Sequence, residues 1–388
     1  MNIISYKYKD PFEHGWEFPE IEFKKINLLV GQSGTGKTKI INTIFNLGRF
    51  VCMNEFKRGH WKIKFEHNSK LYSWEIKSHM QQDLSEEIMY EELTIDGEST
   101  PIVKRDSGVF LFKGALMPKL SSKQTSINIF KEESLIKPIF NAFSRITTRR
   151  FSTEIDEKVF EIHTIPKDFF KKMEQRPSLE ELYYNFALPL NLRLYFLKTF
   201  FKDNFDTICR EYKAIFPFIK EVNIKLLGDV KIRAGEKVVI PLLKSGSNVP
   251  CAEAPVFCIT EHSSNNDIVL RDLSSGMNKV LLILTDLYSQ PEETLYIIDE
   301  YENSLGPNTL GFFQEAIDSL DSKQQVILTS HNPYIINNIP VGNWYIFNRK
   351  GQTVSVKYGD KLEKEYGNSK QEAFCQLSND PFYLKSVE

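Results

Sequence analysis

The stretch "INLLVGQSGTGKTKIINTIFNL", residues 26–47, decides how the rest of the chain is read. An apolar run comes first, a glycine-rich loop follows, and apolar residues then return at three- and four-residue spacing. That order predicts a buried strand, a tight loop and a helix opening near Gly36. Within it, Gly31–Thr38 (GQSGTGKT) fits G-x-x-x-x-G-K-[ST] between a strand and a helix, the context that gives the pattern its meaning. Glycines let the backbone curl so that successive N–H groups of Gly31, Ser33, Gly34, Thr35 and Gly36 face phosphate oxygens. The helix N-terminus adds its positive dipole end. Lys37 is predicted to reach the β- and γ-phosphates of a nucleotide, and Thr38 to hold Mg²⁺.

A phosphate loop of this type needs a carboxylate on a neighbouring strand, and "LYIIDE" (295–300) supplies one. Asp299 ends an apolar strand where a contact to Mg²⁺ belongs, and Glu300 follows as the residue to orient the attacking water. After "QQVILTS" (324–330), His331 again stands where an apolar strand stops, a position suited to sensing the γ-phosphate. A further stretch, "DLSSGMNKVLLILTDLYS" (272–289), opens an apolar helical run with Ser274, Ser275 and Gly276. Serine caps a helix by accepting an orphan N–H in the first turn. The same orphan groups bind anions, so capping and phosphate contact are compatible readings.

Composition narrows the class. The chain has 388 residues, 41% of them hydrophobic, enough for at least one large core. A net charge of −2 gives no global basic field, so contact with nucleic acid would need a local patch. Such a patch is offered by Arg145, Arg149 and Arg150 in "FSRITTRRF" with Lys167, Lys171 and Lys172, read as a track on a helical lobe. The five cysteines include no C-x-x-C pair, which argues against zinc and a disulfide framework and fits a reducing cytoplasm. Neither a secretory leader nor a membrane-spanning run is visible, so a cytoplasmic protein without a membrane partner is expected. Tyr6, Tyr8 and Phe12 fit base stacking and core packing equally well.

Along the chain, "HWKIKFEH", "KLYSWEIK" and "EELTIDGEST" alternate like antiparallel strands. From "KQTSINIF" (123–130) the pattern turns helical, through "EESLIKPIFNAFSRI" and "SLEELYYNFALPLNLRLYFLKTF". Strands return in "EVNIKLL", "KVVIPLL" and "VFCIT", and a strand–helix alternation follows, the pattern of a parallel sheet.

These parts in this order resemble the ABC-type ATPases: the P-loop at Gly31, "LSSGM" at Leu273, "IIDE" at Ile297, "SLGP" at Ser304 and "SH" at Ser330. The resemblance implies an α/β fold, an ABC ATPase head with a mixed β-sheet lobe, a P-loop parallel core and an inserted helical lobe. Three segments follow from it. Residues 1–125 form the first half of the ATP-binding lobe, 126–255 the helical insertion, and 256–388 the second half. It implies that Ser274, Ser275 and Gly276 grip the γ-phosphate of ATP held by a second, head-to-tail copy. It also implies that Gln124 links Mg²⁺ to the helical lobe and that Ser304 and Leu305 cross the dimer interface. Ser275 and Met277 depart from the usual signature, which has a second Gly and then Gln or Glu.

The segment between Gln124 and Leu273 is too short for the coiled coil of an SMC-type protein. The insertions are too large for a transport ATPase. What remains resembles the RecF-like and OLD-like ATPases. "KQTSINIFKEESLIKPIFNAFSRI" and "NSKQEAFCQL" are similar to the stand-alone ATPases of bacterial anti-phage systems, those of Septu and PARIS among them. The implied partners are a second copy of the chain, in a dimer or higher oligomer, and a separate effector, a nuclease or toxin. The segment after His331 has no D-x-D pair of a Toprim nuclease, so any cutting is expected of another polypeptide. The rival reading is a RecF-like ATP-dependent DNA-binding protein in repair.

Overall fold

The computed structural model describes residues 1–80, 85–106, 108–118, 121–150, 178–179, 188–231, 254–302, 324–366 and 370–385. They fall into two compact units. The first takes the described residues of 1–150, 292–302 and 324–385; the second takes 178–179, 188–231 and 254–291.

In chain order the strands are β1 (Asn2–Lys9), β2 (Glu17–Glu22), β3 (Ile26–Val30), β4 (Gly59–His67), β5 (Lys70–Met80) and β6 (Glu86–Ile95). Then come β7 (Val103–Asp106), β8 (Val109–Phe112), β9 (Ala115–Leu116), β10 (Ile146–Arg150), β11 (Ile219–Leu226) and β12 (Pro255–Glu261). The last are β13 (Asp267–Val269), β14 (Leu295–Asp299), β15 (Gln325–Thr329), β16 (Trp344–Lys350) and β17 (Thr353–Tyr358). In the first unit they form one sheet in the order β10-β14-β15-β3-β16-β17-β2-β1-β4-β5-β6-β7-β8-β9. From β10 through β14, β15 and β3 to β16 every pairing is parallel; from β1 to β9 every pairing is antiparallel.

The two halves of this sheet read differently for a physical reason. All five residues of β14 and of β15 are buried, as strands covered on both faces must be. β4 instead alternates: Trp61, Ile63 and Phe65 point into the core while Lys62 and Lys64 are exposed. The resulting core joins Trp61, Phe65 and Trp74 of the antiparallel half to Ile40, Ile44 and Leu47 of helix α1 (Lys37–Cys52). Tyr6 and Tyr8 also belong to that core. Their hydroxyls donate to Thr43 Oγ1 at 2.8 Å and to Asp10 Oδ1, which settles both as packing residues, whereas Phe12 is exposed.

The units divide the chain elsewhere than the three segments read from sequence. Helices α2 (Ser126–Ile129) and α3 (Lys137–Ser144) belong to the first unit, where Ile127, Ile139 and Phe143 enter its core. Residues 146–150, expected on a helical lobe, are the edge strand β10, parallel to β14 from Ile146↔Leu295 to Arg150↔Asp299. Ile146, Thr147 and Thr148 are β-branched and favour that pairing over a helix. Arg145 there donates to the Glu292 carbonyl at 3.0 Å and Arg150 lies 5.6 Å from the Phe45 ring centroid. Lys167, Lys171 and Lys172, the strand read at 237–243, and Ser304 and Leu305 lie outside the described residues.

The second unit packs helices Leu190–Phe200, Lys202–Ile215 and Ser275–Ser289 with the antiparallel sheet β11-β12-β13. Buried Arg193 donates to Asp286 Oδ1 at 2.8 Å and to Ser289 Oγ at 3.1 Å. Asn204 reaches the Tyr288 carbonyl at 2.7 Å. No helix among the described residues is long and apolar enough to cross a membrane.

Candidate nucleotide site

β3 delivers the chain to Gly31 and α1 leaves from Lys37, so the loop between them hangs from one buried strand and one buried helix. Two glycines have no substitute there. A Cβ on Gly31 would lie 2.8 Å from Thr35 Oγ1 and 2.9 Å from the Phe347 carbonyl. One on Gly36 would lie 2.8 Å from Trp16, on a backbone with φ +101°. Gly36 is also the N-cap of α1. It offers no side chain to the first turn, and that turn contains no acidic residue. The first N–H groups of α1 therefore lack a side-chain cap and keep their capacity for an anion.

Lys37 is 5% exposed, and its Nζ donates to the carbonyls of Gly31 at 2.7 Å and Gln32 at 2.9 Å. Burial lowers its pKa to about 8, against the opposing pull of Asp299, Glu302 and Glu300. The ammonium is thus a desolvated cation folded onto its own loop, a group that a polyanion would relieve.

β14 and β15 are adjacent and parallel, and their ends meet the loop. Thr38 Oγ1 donates to Asp299 Oδ1 at 3.1 Å, and Thr329 Oγ1 donates to the same oxygen at 2.6 Å. The Thr329 hydroxyl in turn accepts the Glu300 N–H at 2.8 Å. Asp299 Oδ2 is buried and has no hydrogen-bond partner among the described residues. A hydroxyl beside a carboxylate with one open oxygen suits a hard divalent cation such as Mg²⁺. Among the described residues no group of three His, Cys, Asp or Glu forms a metal cage. A cation held here would take its other ligands from phosphate and water, as Mg²⁺ does.

Glu300 sits at φ +53°, a left-handed conformation that costs a non-glycine residue on the order of 1 kcal/mol and gathers at functional sites. His331 follows β15, and its backbone N–H donates to Glu302 Oε1 at 2.7 Å. Its pKa lies below the ordinary imidazole value because part of the ring is buried and Lys37 is near, with Glu302 and Asp299 opposing.

Of the residues singled out by sequence, the structure brings together Lys37, Thr38 and Asp299 on the P-loop and strand end, with Glu300 and His331 on the adjoining turns. Gln124 precedes Thr125, the N-cap of α2, and its carbonyl accepts from Arg105 at 3.2 Å; the structure shows no hydrogen bond from its side chain to Thr38 or Asp299. Ser274 is the N-cap of helix Ser275–Ser289 in the second unit, its Oγ accepting the Met277 N–H at 3.3 Å. Ser274 and Ser275 are exposed. Sequence reading missed Thr329 and Glu302. The only trace of Thr329 is a polar β-branched residue closing an apolar strand, and that of Glu302 a second acid two places after Glu300.

Solved structures similar to this chain include SMC heads. One is bound to the C-winged helix domain of ScpA (12% identity, TM-score 0.49, covering 94% of this chain and 100% of that one). Another is the SMC head domain from Thermotoga maritima (11%, 0.45, 92% and 99%). A third is a Pyrococcus furiosus head with an extended coiled coil, bound to the C-terminal domain of ScpA (12%, 0.47, 94% and 98%). None reaches a TM-score of 0.5, and the fold stands on the strand order above. No curated protein matches the chain. The family model described as "AAA domain, putative AbiEii toxin, Type IV TA system" matches residues 130–337, a span that includes Ser274–Gly276, Asp299, Glu300 and His331. That span is more than half of the chain, and the chain belongs to this family.

Proposed function

We propose that the chain binds Mg-ATP at Gly31–Thr38, hydrolyses it between two copies of itself, and thereby controls a separate effector, a nuclease or toxin, in anti-phage defence. The observation that carries the nucleotide reading is Asp299. One of its oxygens ties Thr38 of the P-loop to Thr329 of β15, and the other is buried with capacity to spare.

In this reading Lys37 exchanges its two loop carbonyls for the β- and γ-phosphates, and the uncapped first turn of α1 takes the remaining phosphate charge. Thr38 and Asp299, joined by Gln124 in the family resemblance, would hold Mg²⁺, which would supply neutralisation of charge on the phosphate oxygens. Glu300 orients the attacking water and accepts its proton at the carboxylate. His331 donates from its ring toward the γ-phosphate. Ser274, Ser275 and Gly276 of the second copy complete the site; the Ser274 hydroxyl can keep accepting from Met277 while donating its own proton to phosphate. The family's description as a toxin–antitoxin component supports a chain that works with a second polypeptide.

The test is capture of tagged Glu300→Gln from its host with Mg-ATP, with eluates analysed for protein and for nuclease-sensitive nucleic acid. A second polypeptide in stoichiometric amount supports the regulatory reading. Nucleic acid without one moves the assignment to a RecF-like DNA-binding ATPase.

A further inference from the structure

The turns after β14 and β15 are joined by more than the sheet. Glu300 N–H donates to Thr329 Oγ1, and Tyr301 N–H donates to the Thr329 carbonyl at 3.1 Å, the last backbone rung between the two strands. One step further, at His331, the ladder has ended, and a backbone N–H there needs another acceptor. Glu302 provides it through Oε1 at 2.7 Å. Its second oxygen, Oε2, is buried and has no hydrogen-bond partner among the described residues.

We propose that Glu302 is a positioning residue for ATP hydrolysis: by gripping the His331 amide it fixes the turn that presents the His331 ring to the γ-phosphate. The proposal rests on the reading of His331 as the γ-phosphate sensor. It rests equally on geometry, since Glu302 is the one described side chain that bonds the His331 backbone N–H. The Glu302 charge also opposes the lowering of both the Lys37 and the His331 pKa, which places it in the electrostatic neighbourhood of the site. A carboxylate two residues beyond Glu300 would then act on turnover through where His331 is held, with no contact of its own to the nucleotide.

A double-mutant cycle with an exchange readout tests this. Glu302→Ala should lower kcat about tenfold, leave the Kd for Mg-ATP within about twofold, and speed hydrogen exchange at the His331 amide. Glu302→Gln keeps an acceptor oxygen and should recover most of the kcat loss and the amide protection. In the His331→Ala background, Glu302→Ala should cost nothing further, because no ring remains to be placed. Unchanged exchange in Glu302→Ala, an additive loss in the double variant, or a glutamine variant as slow as the alanine one overturns the inference. His331→Ala turning over at the wild-type rate overturns the sensor reading and the inference with it, while accelerated exchange in Glu302→Ala would still report the anchoring contact separately.

Discussion

Helix α1 and the helix Ser275–Ser289 begin in opposite ways. α1 opens at Gly36, which offers its first turn nothing, while the other opens at Ser274, whose hydroxyl accepts the Met277 N–H. The contrast continues behind them. Around α1, Asp299 Oδ2 is buried without a partner among the described residues, and Lys37 is folded onto two carbonyls. Along the second helix, Asp286 is answered by Arg193. One region therefore holds charge and donors for something brought from outside. The other pairs its buried charge internally and exposes Ser274 and Ser275 at its start. A P-loop helix must leave its end open, whereas a helix that presents a hydroxyl can be complete before its ligand arrives.

The sharpest way to break this comparison is in the second unit. Asp286→Ala leaves the Arg193 guanidinium buried without its carboxylate and should cost about 3–5 kcal/mol of stability, read from denaturant unfolding. A loss below about 1 kcal/mol would mean the pair is not holding the unit. Next in size, Lys37→Ala should weaken ATP binding about 100-fold or more in calorimetric titration, because it removes the one buried cation of the loop. Stability should hardly fall, or should rise, since a desolvated charge goes with it.

Binding should also depend on pH in a defined direction. Lys37 titrates near 8 without ligand, and bound phosphate would raise that value. Below pH 8 the cation is already present. Above it, binding must first take up a proton, so Kd should rise by up to about tenfold per pH unit until the bound-state pKa is reached. A Kd flat from pH 7 to 10 would remove Lys37 from the phosphate contact. The smallest effect is expected for Ser274→Ala, about 1 kcal/mol of stability from the lost cap, with ATP binding by the isolated chain unchanged. Its larger consequence should appear only in turnover by paired copies.

Much of this was legible in the sequence because it is written in periodicity. β14 and β15 announce themselves as unbroken apolar runs, and Trp61, Ile63 and Phe65 as an alternation. Glycine spacing then located the loop between β3 and α1. What stayed hidden acts where periodicity stops. β10 is five residues at a sheet edge, directly after α3, and its half-buried side chains carry no clear period. Thr329 and Glu302 work by satisfying backbone groups where a ladder ends, a role fixed by the partner strand and invisible in local composition. The packing role of Tyr6 and Tyr8 likewise depended on where β1 lies in the sheet, beside β2 and β4.

In the proposed mechanism Glu300 is the base at a site where Lys37, Thr38 and Asp299 would hold Mg-ATP. Phosphate release by wild type and by Glu300→Gln, at saturating Mg-ATP and with binding measured on the same samples, tests it most directly. The expected result is equal binding with turnover slowed at least ~10²-fold in the variant. Equal turnover by the two proteins, or a wild type that binds no ATP, would contradict it.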